Sequence, residues 1–301
     1  VQLAATFPEL AAAEDLVRPK VDGLRDKGVE ILTGSEVKGL EGEPGDFQVT
    51  IKTPAGEKVE RVGAVIVATG FQYLDPSGYT EYGYGRLRNV VTGLEFEGML
   101  KEDRLPFGGD GAAPVVVFVH CVGSRDRSKG FRYCSKVCCN YAAKEATLLK
   151  KRYPEARPFV FYIDIRSAGK GYEEFVRAAM EVHGVRYIRG RVAKVTPSGS
   201  KLAVRAEDSL VGNPVEIKAD MVVLASAVAP PAGAQDLAET LGLETDAYGF
   251  FKEEQPNTKP VASSRPGVFL AGACTGPVEI REAVTQGAMA AAEVMALQGG
   301  S

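Results

Sequence analysis

No stretch of this chain is long and apolar enough to span a membrane, and nothing in it reads as a secretory signal. Histidine is scarce. The two that occur, His120 and His183, sit in no recognisable catalytic motif, so Ser-His-Asp hydrolysis has no support. A net charge of -3 leaves no global basic surface for nucleic acid. There is no Cys-x-x-Cys pair, which removes the usual dithiol of a disulfide oxidoreductase. Low-complexity tracts and fixed-period repeats are missing as well. What remains is an ordinary globular balance, 45% apolar and 25% charged over 301 residues, enough for two domains or one large one.

Against that background the cysteines stand out. Four of the five fall in the spacing Cys121-x12-Cys134-x3-Cys138-Cys139, with Cys274 far away. The apolar run Val115–His120 predicts a strand with Cys121 at its carboxyl end, followed by a loop over 122–133 and a helix from about Ser135 to Arg152. On a helical course Cys134 and Cys138 share a face one turn apart, so strand-end and helix sulfurs can converge. Four thiolates suit an iron–sulfur cluster. Buried structural thiols, a disulfide and a zinc site are the alternatives. An adjacent pair after a lone cysteine fits poorly the separated Cys-x2–4-Cys pairs of structural zinc. Disulfides suit secretion, and a reducing cytoplasm is the expected home of these thiols.

The rest of the pattern is α/β. An amphipathic helix is expected over Leu16–Lys27 and a strand over Val29–Leu32, then a meander around Phe47–Lys52 and Lys58–Arg61. The string VIVATG ends a buried strand at Thr69–Gly70, and GVFLAG ends another at Gly272. Between them, strands at Pro114–His120, Pro158–Asp164, Val185–Ile188, Leu202–Ala206 and Met221–Ala227 alternate with helices at about Ser135–Arg152 and Gly171–His183. That alternation predicts a parallel sheet covered by helices.

Four long strings, Glu81–Glu97, Val119–Ala146, Phe161–Val192 and Gly267–Ala291, resemble the A-type flavoprotein of heterodisulfide reductases. That family includes the A/B subunits of the quinone-interacting membrane-bound oxidoreductase complex. The resemblance implies a two-dinucleotide-binding-domain flavoprotein of thioredoxin reductase type. Its parts would be an FAD-binding domain in two segments, 1–112 and 231–301, around an inserted nucleotide-type domain at 113–230. In the inserted domain a [4Fe–4S] cluster on Cys121, Cys134, Cys138 and Cys139 replaces NAD(P). The local turn CVGSRDRS agrees, because its single Gly123 cannot make the glycine-rich cradle a pyrophosphate needs. The resemblance also sets Lys144 beside the flavin ring as a tuning charge, the alternative being a solvated helix lysine. Arg125 would neutralise cluster or flavin charge, or else be solvated. Thr69, Gly70, Gly272, Ala273, Pro277 and Ile280 would approach the FAD, with Ala273 standing where many relatives carry an aspartate. Asp164 is read as structural, and Cys274 is not read as catalytic.

Two departures qualify the match: the G-x-G-x-x-G turn expected for the FAD pyrophosphate is not found, so the N-terminal FAD segment is expected to be missing, and no Cys-x2-Cys-x2-Cys ferredoxin run occurs. The implied function is electron transfer between FAD, the cluster and partner subunits: ferredoxin-like, heterodisulfide reductase-like or quinone-reactive membrane proteins. Homodimerisation is left open, and membrane association would come through those partners. Two rivals are kept. One is an NAD(P)H-dependent disulfide oxidoreductase-like enzyme, which predicts a glycine-rich turn after Val115–His120. The other is a non-redox zinc-binding assembly protein.

Overall fold

Eight consecutive residues, Val115–Val122, are buried in the computed structural model, which describes residues 3–107 and 113–299. A strand buried on both faces belongs inside a parallel sheet. Val115–Val122 is the middle of five parallel strands, in the order Val90–Thr92, Met221–Ser226, Val115–Val122, Arg157–Tyr162, Arg186–Arg189. Successive side chains of a strand point to opposite faces. Val116 and Phe118 join a core with Phe96, Ala142, Ala146 and Leu149 of the helices Gly93–Lys101 and Cys138–Arg152. Val115, Val117 and Val119 join another with Val192, Val195, Leu202 and Val204. Each large apolar side chain so buried contributes roughly 1.5–3 kcal/mol.

The second face corrects the expected architecture. Leu202–Ala206 is not a strand of the parallel sheet. It lies in Lys201–Asp208, the centre of a three-stranded antiparallel layer with Val192–Ser198 and Asn213–Ala219. Gly199 and Gly212, at φ 63° and 70°, let the chain reverse twice within this span. Helices therefore cover one face of the parallel sheet and an antiparallel sheet covers the other.

By its contacts the chain divides into two compact units, Val1–Lys27 with Leu74–Ala227, and Gly28–Tyr73 with Val228–Ser301. The expected boundary at 112/113 falls against residues 108–112, outside the described residues, and the first unit begins its main run at Leu74 instead. Strand pairing is the reason. Val90–Thr92 is an edge strand of the central sheet, and Thr92 and Glu95 close a capping box on the helix Gly93–Lys101.

In the second unit Val65–Val67 and Val268–Leu270 pair in parallel, Val65 opposite Val268 and Val67 opposite Leu270, within a four-stranded sheet. A three-stranded meander, Glu36–Glu43, Asp46–Thr53 and Gly56–Val62, adds Leu40, Phe47 and Val49 to the core around Val67 and Leu270. In the first unit the expected helix forms over Ala13–Asp26. The expected strand at Val29–Leu32 does not, and Val29 and Ile31 are nearly half exposed. Alternating apolar residues make a strand only where a ladder partner is present, and none is assigned to them among the described residues. No described helix is long and apolar enough to cross a membrane.

Candidate functional site

The end of the central strand is where the backbone departs most from regular geometry. Leu224 opposes Val119 and Ser226 opposes Val122, so His120 and Cys121 together face Ala225, a β-bulge. Cys121 takes φ 59°, and Arg125 and Lys136 follow with φ 53° and 62°. Left-handed backbone at a residue with a Cβ costs about 1–2 kcal/mol. Three such residues in sixteen positions mark a loop held in shape by its surroundings.

Hydrogen bonds hold it. The Arg125 and Asp126 amides donate to the Tyr133 and Phe131 carbonyls at 2.8 and 2.9 Å, and the Phe131 amide donates to the Gly123 carbonyl at 2.8 Å. Asp126, buried at the turn, accepts from the Ser128 amide and hydroxyl and from the Tyr79 hydroxyl. The Ser128 hydroxyl and these amides pull its carboxyl down to about 2. Gly130 sits so close that a Cβ would meet the Gly123 carbonyl and the Tyr79 hydroxyl at 2.5 Å each. Gly130→Ala is expected to destabilise this unit by about 1–3 kcal/mol through overpacking, measured by denaturant unfolding against wild type.

Lys136 also decides where the next helix starts. Its left-handed turn ends any helical course through Cys134, and the helix begins at Cys138. The expected shared helical face of Cys134 and Cys138 is therefore not formed. Cys134 is half-buried in the loop, where its sulfur accepts the Lys136 amide at 3.3 Å.

The other three thiols do meet. Cys138, fully buried, hydrogen-bonds both Cys121 and Cys139. This contact draws the Cys121 thiol down to about 6 and the Cys139 thiol to about 4, while Cys138 itself is pushed up. Cys139 also accepts the Arg166 amide at 3.4 Å, and its sulfur is 3.9 Å from His120 Nδ1. His120 Nε2 is buried without a partner among the described residues. No group of three or more His, Cys, Asp or Glu side chains stands at metal-binding geometry among the described residues. Asp164 is ion-paired to Arg125 at 2.7 Å and to Arg189 at 3.5 Å. Arg125 is thus engaged rather than solvated.

Lys144 is not a solvated lysine either. It is 2% exposed, and its Nζ donates to Glu97 Oε2 at 2.5 Å and to the Ala5 carbonyl at 3.1 Å. Glu97 Oε1 accepts the Ala4 and Ala5 amides, which fastens the N-terminal segment to the first unit. Beside them Glu145, 1% exposed, has an Oε2 with no partner among the described residues. Burial first, then Glu97, hold the Glu145 carboxyl well above the usual carboxylate range. Glu97 and Glu145 had no mark in the sequence, since only the fold reveals that these charges are buried.

In the second unit the strings ending in Thr69–Gly70 and Gly272 run side by side. Val67 accepts the Ala271 amide at 2.9 Å, so Thr69–Gly70 and Gly272–Ala273 leave the same edge of neighbouring strands. Gly70 and Gly272 take φ 70° and 76°, open to glycine. The Gly272 amide donates to Gln286 of the helix Ile280–Gly299, which follows the turn carrying Pro277. Cys274 is fully buried, donates to the Val67 and Ala271 carbonyls, and is pushed up to about 11 by burial.

Residues 141–292 match the family model described as pyridine nucleotide-disulphide oxidoreductase. The A subunit of the H2:CoB-CoM heterodisulfide,ferredoxin reductase of Methanothermobacter marburgensis is 46% identical over 244 residues, covering 78% of this chain and 37% of that protein. The iron-sulfur A subunit of the CoB–CoM heterodisulfide reductase of Methanocaldococcus jannaschii is 44% identical, over 79% of this chain and 38% of its own length. The chain thus spans under two-fifths of the curated relatives it matches. Among solved structures, the thioredoxin reductase of T. acidophilum superposes with a TM-score of 0.63 at 18% identity, covering 97% of this chain and 84% of that one. The fold is therefore the thioredoxin reductase-like one, and the chain belongs to the pyridine nucleotide-disulphide oxidoreductase family and, within it, to the A-type proteins of heterodisulfide reductases.

Proposed function

We propose that this chain is an electron-transfer module of a heterodisulfide reductase-like or quinone-interacting complex, binding FAD and a [4Fe–4S] cluster. The observation that carries it is the meeting of Cys121, Cys138 and Cys139 at a bulged strand end. The donor set fits an iron–sulfur centre: soft sulfur ligands, two of them already drawn toward thiolate, with amides aimed at Cys134 and Cys139. Cys134 would supply the fourth sulfur from its loop. FAD would lie on the unit formed by Gly28–Tyr73 and Val228–Ser301, at Thr69, Gly70, Gly272, Ala273, Pro277 and Ile280. When bound, the flavin would supply paired-electron and the cluster single-electron chemistry.

The chain's own residues then have defined tasks. The thiols bind, the amides of Lys136 and Arg166 stabilise negative sulfur, and buried Ala225 packs against Cys138 and Cys139. Lys144 is tied by its ion pair to Glu97 and by the Ala5 carbonyl, so its charge is held inside the first unit. Partner proteins of a redox complex would deliver and remove electrons, in keeping with the names of the relatives.

Anaerobic purification tests it. Brown protein with about four irons per chain and broad absorption near about 400 nm is the expected result, with a yellow flavin spectrum after FAD addition. Colourless protein holding one zinc, or NADH oxidation by the reconstituted chain, would overturn it.

A further inference from the structure

The loop between the cysteines carries a charge that the chain as a whole does not. From Arg125 to Lys136 there are five cations and one acid, Asp126, in a protein whose net charge is -3. That acid is buried and spent on the turn. Tertiary structure adds to the excess. Arg166 comes to the site with its amide on Cys139, and Arg191 reaches under the loop to the Ser124 and Arg125 carbonyls.

Some of these charges are already engaged: Arg125 and Arg189 share Asp164, and Lys129 pairs with Glu81. Arg127, Arg132 and Arg166 are exposed and have no carboxylate partner among the described residues. The Asp126 amide bonds the Phe131 carbonyl, and Arg127 and Arg132 directly follow those two residues in the loop. Phe131 and Tyr133 stack at 4.9 Å and stay partly exposed, next to half-buried Cys134. Three exposed guanidiniums without a carboxylate partner among the described residues, two of them on the loop that carries the stacked Phe131 and Tyr133 and one on the segment bonded to Cys139, have the composition of a protein-binding patch with a charged rim. The loop itself carries partly exposed Cys134, so a protein docked on it lies beside the cysteine site.

We propose that this loop, with Arg166, is the docking rim for an acidic protein or domain that carries its own one-electron group. The inference rests on the cysteine site being a one-electron centre. In the step it serves, one electron leaves the carrier's reduced group and enters that centre. No covalent bond forms or breaks, and the reverse transfer uses the same surface. Nucleic acid, the other polyanion, fits less well: affinity for it comes from many phosphate contacts, and outside this one rim the chain is net acidic. A small substrate would not call for charge spread over an exposed loop.

The test uses the whole chain, prepared anaerobically with its iron content measured first. An acidic [2Fe–2S] ferredoxin serves as probe, followed by stopped-flow electron transfer and, independently of iron, by the anisotropy of a labelled ferredoxin. Steered association between opposite charges is faster by about 10- to 1000-fold and falls steeply with salt. The triple variant Arg127→Glu, Arg132→Glu, Arg166→Glu should therefore bind and react at least about tenfold more slowly at low salt and lose most of its salt dependence. The neutral variant Arg127→Gln, Arg132→Gln, Arg166→Gln should lie between. A matched reversal on the antiparallel layer, Lys194→Glu, Arg205→Glu, Lys218→Glu, should stay within about threefold of wild type. Circular dichroism checks that each variant folds.

Equal behaviour of the two glutamate triples overturns the proposal, as does single-stranded RNA binding through the same arginines with no ferredoxin binding. Iron-free protein that still binds ferredoxin through this rim supports the docking surface while the cluster reading fails, so the two failures are separable.

Discussion

Lys144→Met should unfold at markedly lower denaturant, losing about 3–5 kcal/mol of stability. The reason is what remains behind. Lys144 and Glu97 are both almost completely buried, and removing the ammonium leaves the Glu97 carboxylate without its counter-charge beside a second buried acid, Glu145. The two amides from Ala4 and Ala5 still reach Glu97, but they cannot replace a full charge. Restoring neutrality should restore stability. The double variant Lys144→Met, Glu97→Gln is expected to recover most of the loss, because apolar or neutral replacement of a whole buried pair is often tolerated. Urea midpoints for wild type, single and double variants measure this directly. A single variant within about 0.5 kcal/mol of wild type would show that the pair is solvated rather than buried.

The same group gives a pH dependence with a defined sign. The folded Glu145 carboxyl is held above its ordinary value of 4.5 by burial and by Glu97. Its contribution to stability is therefore complete below that ordinary value and is lost as pH rises through the raised one, because the unfolded chain releases the proton first. Glu145→Gln should flatten stability against pH on that alkaline side and leave it little changed in acid. Thermal melts from acid to mildly alkaline pH, wild type beside the variant, check it. Parallel curves across the whole range would mean that Glu145 is ionised in the fold.

Cys138→Ser carries the second large effect. Cys138 is the thiol that both Cys121 and Cys139 contact, so it is the middle of the trio rather than one edge. A serine there keeps the shape but offers a hard, weakly acidic oxygen where soft sulfur is needed. Iron content after anaerobic reconstitution is expected to fall from about four per chain to below about one, with loss of the reduced EPR signal. Cys274→Ser is the control. Its sulfur donates to the Val67 and Ala271 carbonyls, and a hydroxyl can do the same, so iron content should match wild type. If Cys138→Ser retains its iron, the cysteine site is not the one that holds it.

Much of this protein could be seen in its residues before any fold was known. The apolar runs around Val115, Phe159 and Val222 are too continuous for surface strands and required a sheet covered on both sides. The strings ending in Thr69–Gly70 and Gly272 read as two strands, and both form. The cysteine spacing singled out four thiols, of which Cys121, Cys138 and Cys139 contact one another while Cys134 stays in the loop.

What covers the sheet, where the cysteine helix begins and which charges are buried were settled only in three dimensions. Val29–Leu32 has the alternation of a strand but no ladder to join among the described residues, so periodicity alone misplaced it. Cys134 looked helical until the left-handed turn at Lys136 ended the helix register. Glu97, Lys144 and Glu145 are ordinary charged residues in one dimension, and they become a buried group only because segments 4–5, 93–101 and 138–152 pack together. Local pattern determines which residues can form an element. Burial and charge pairing depend on neighbours far away in the chain, and so belong to the tertiary structure.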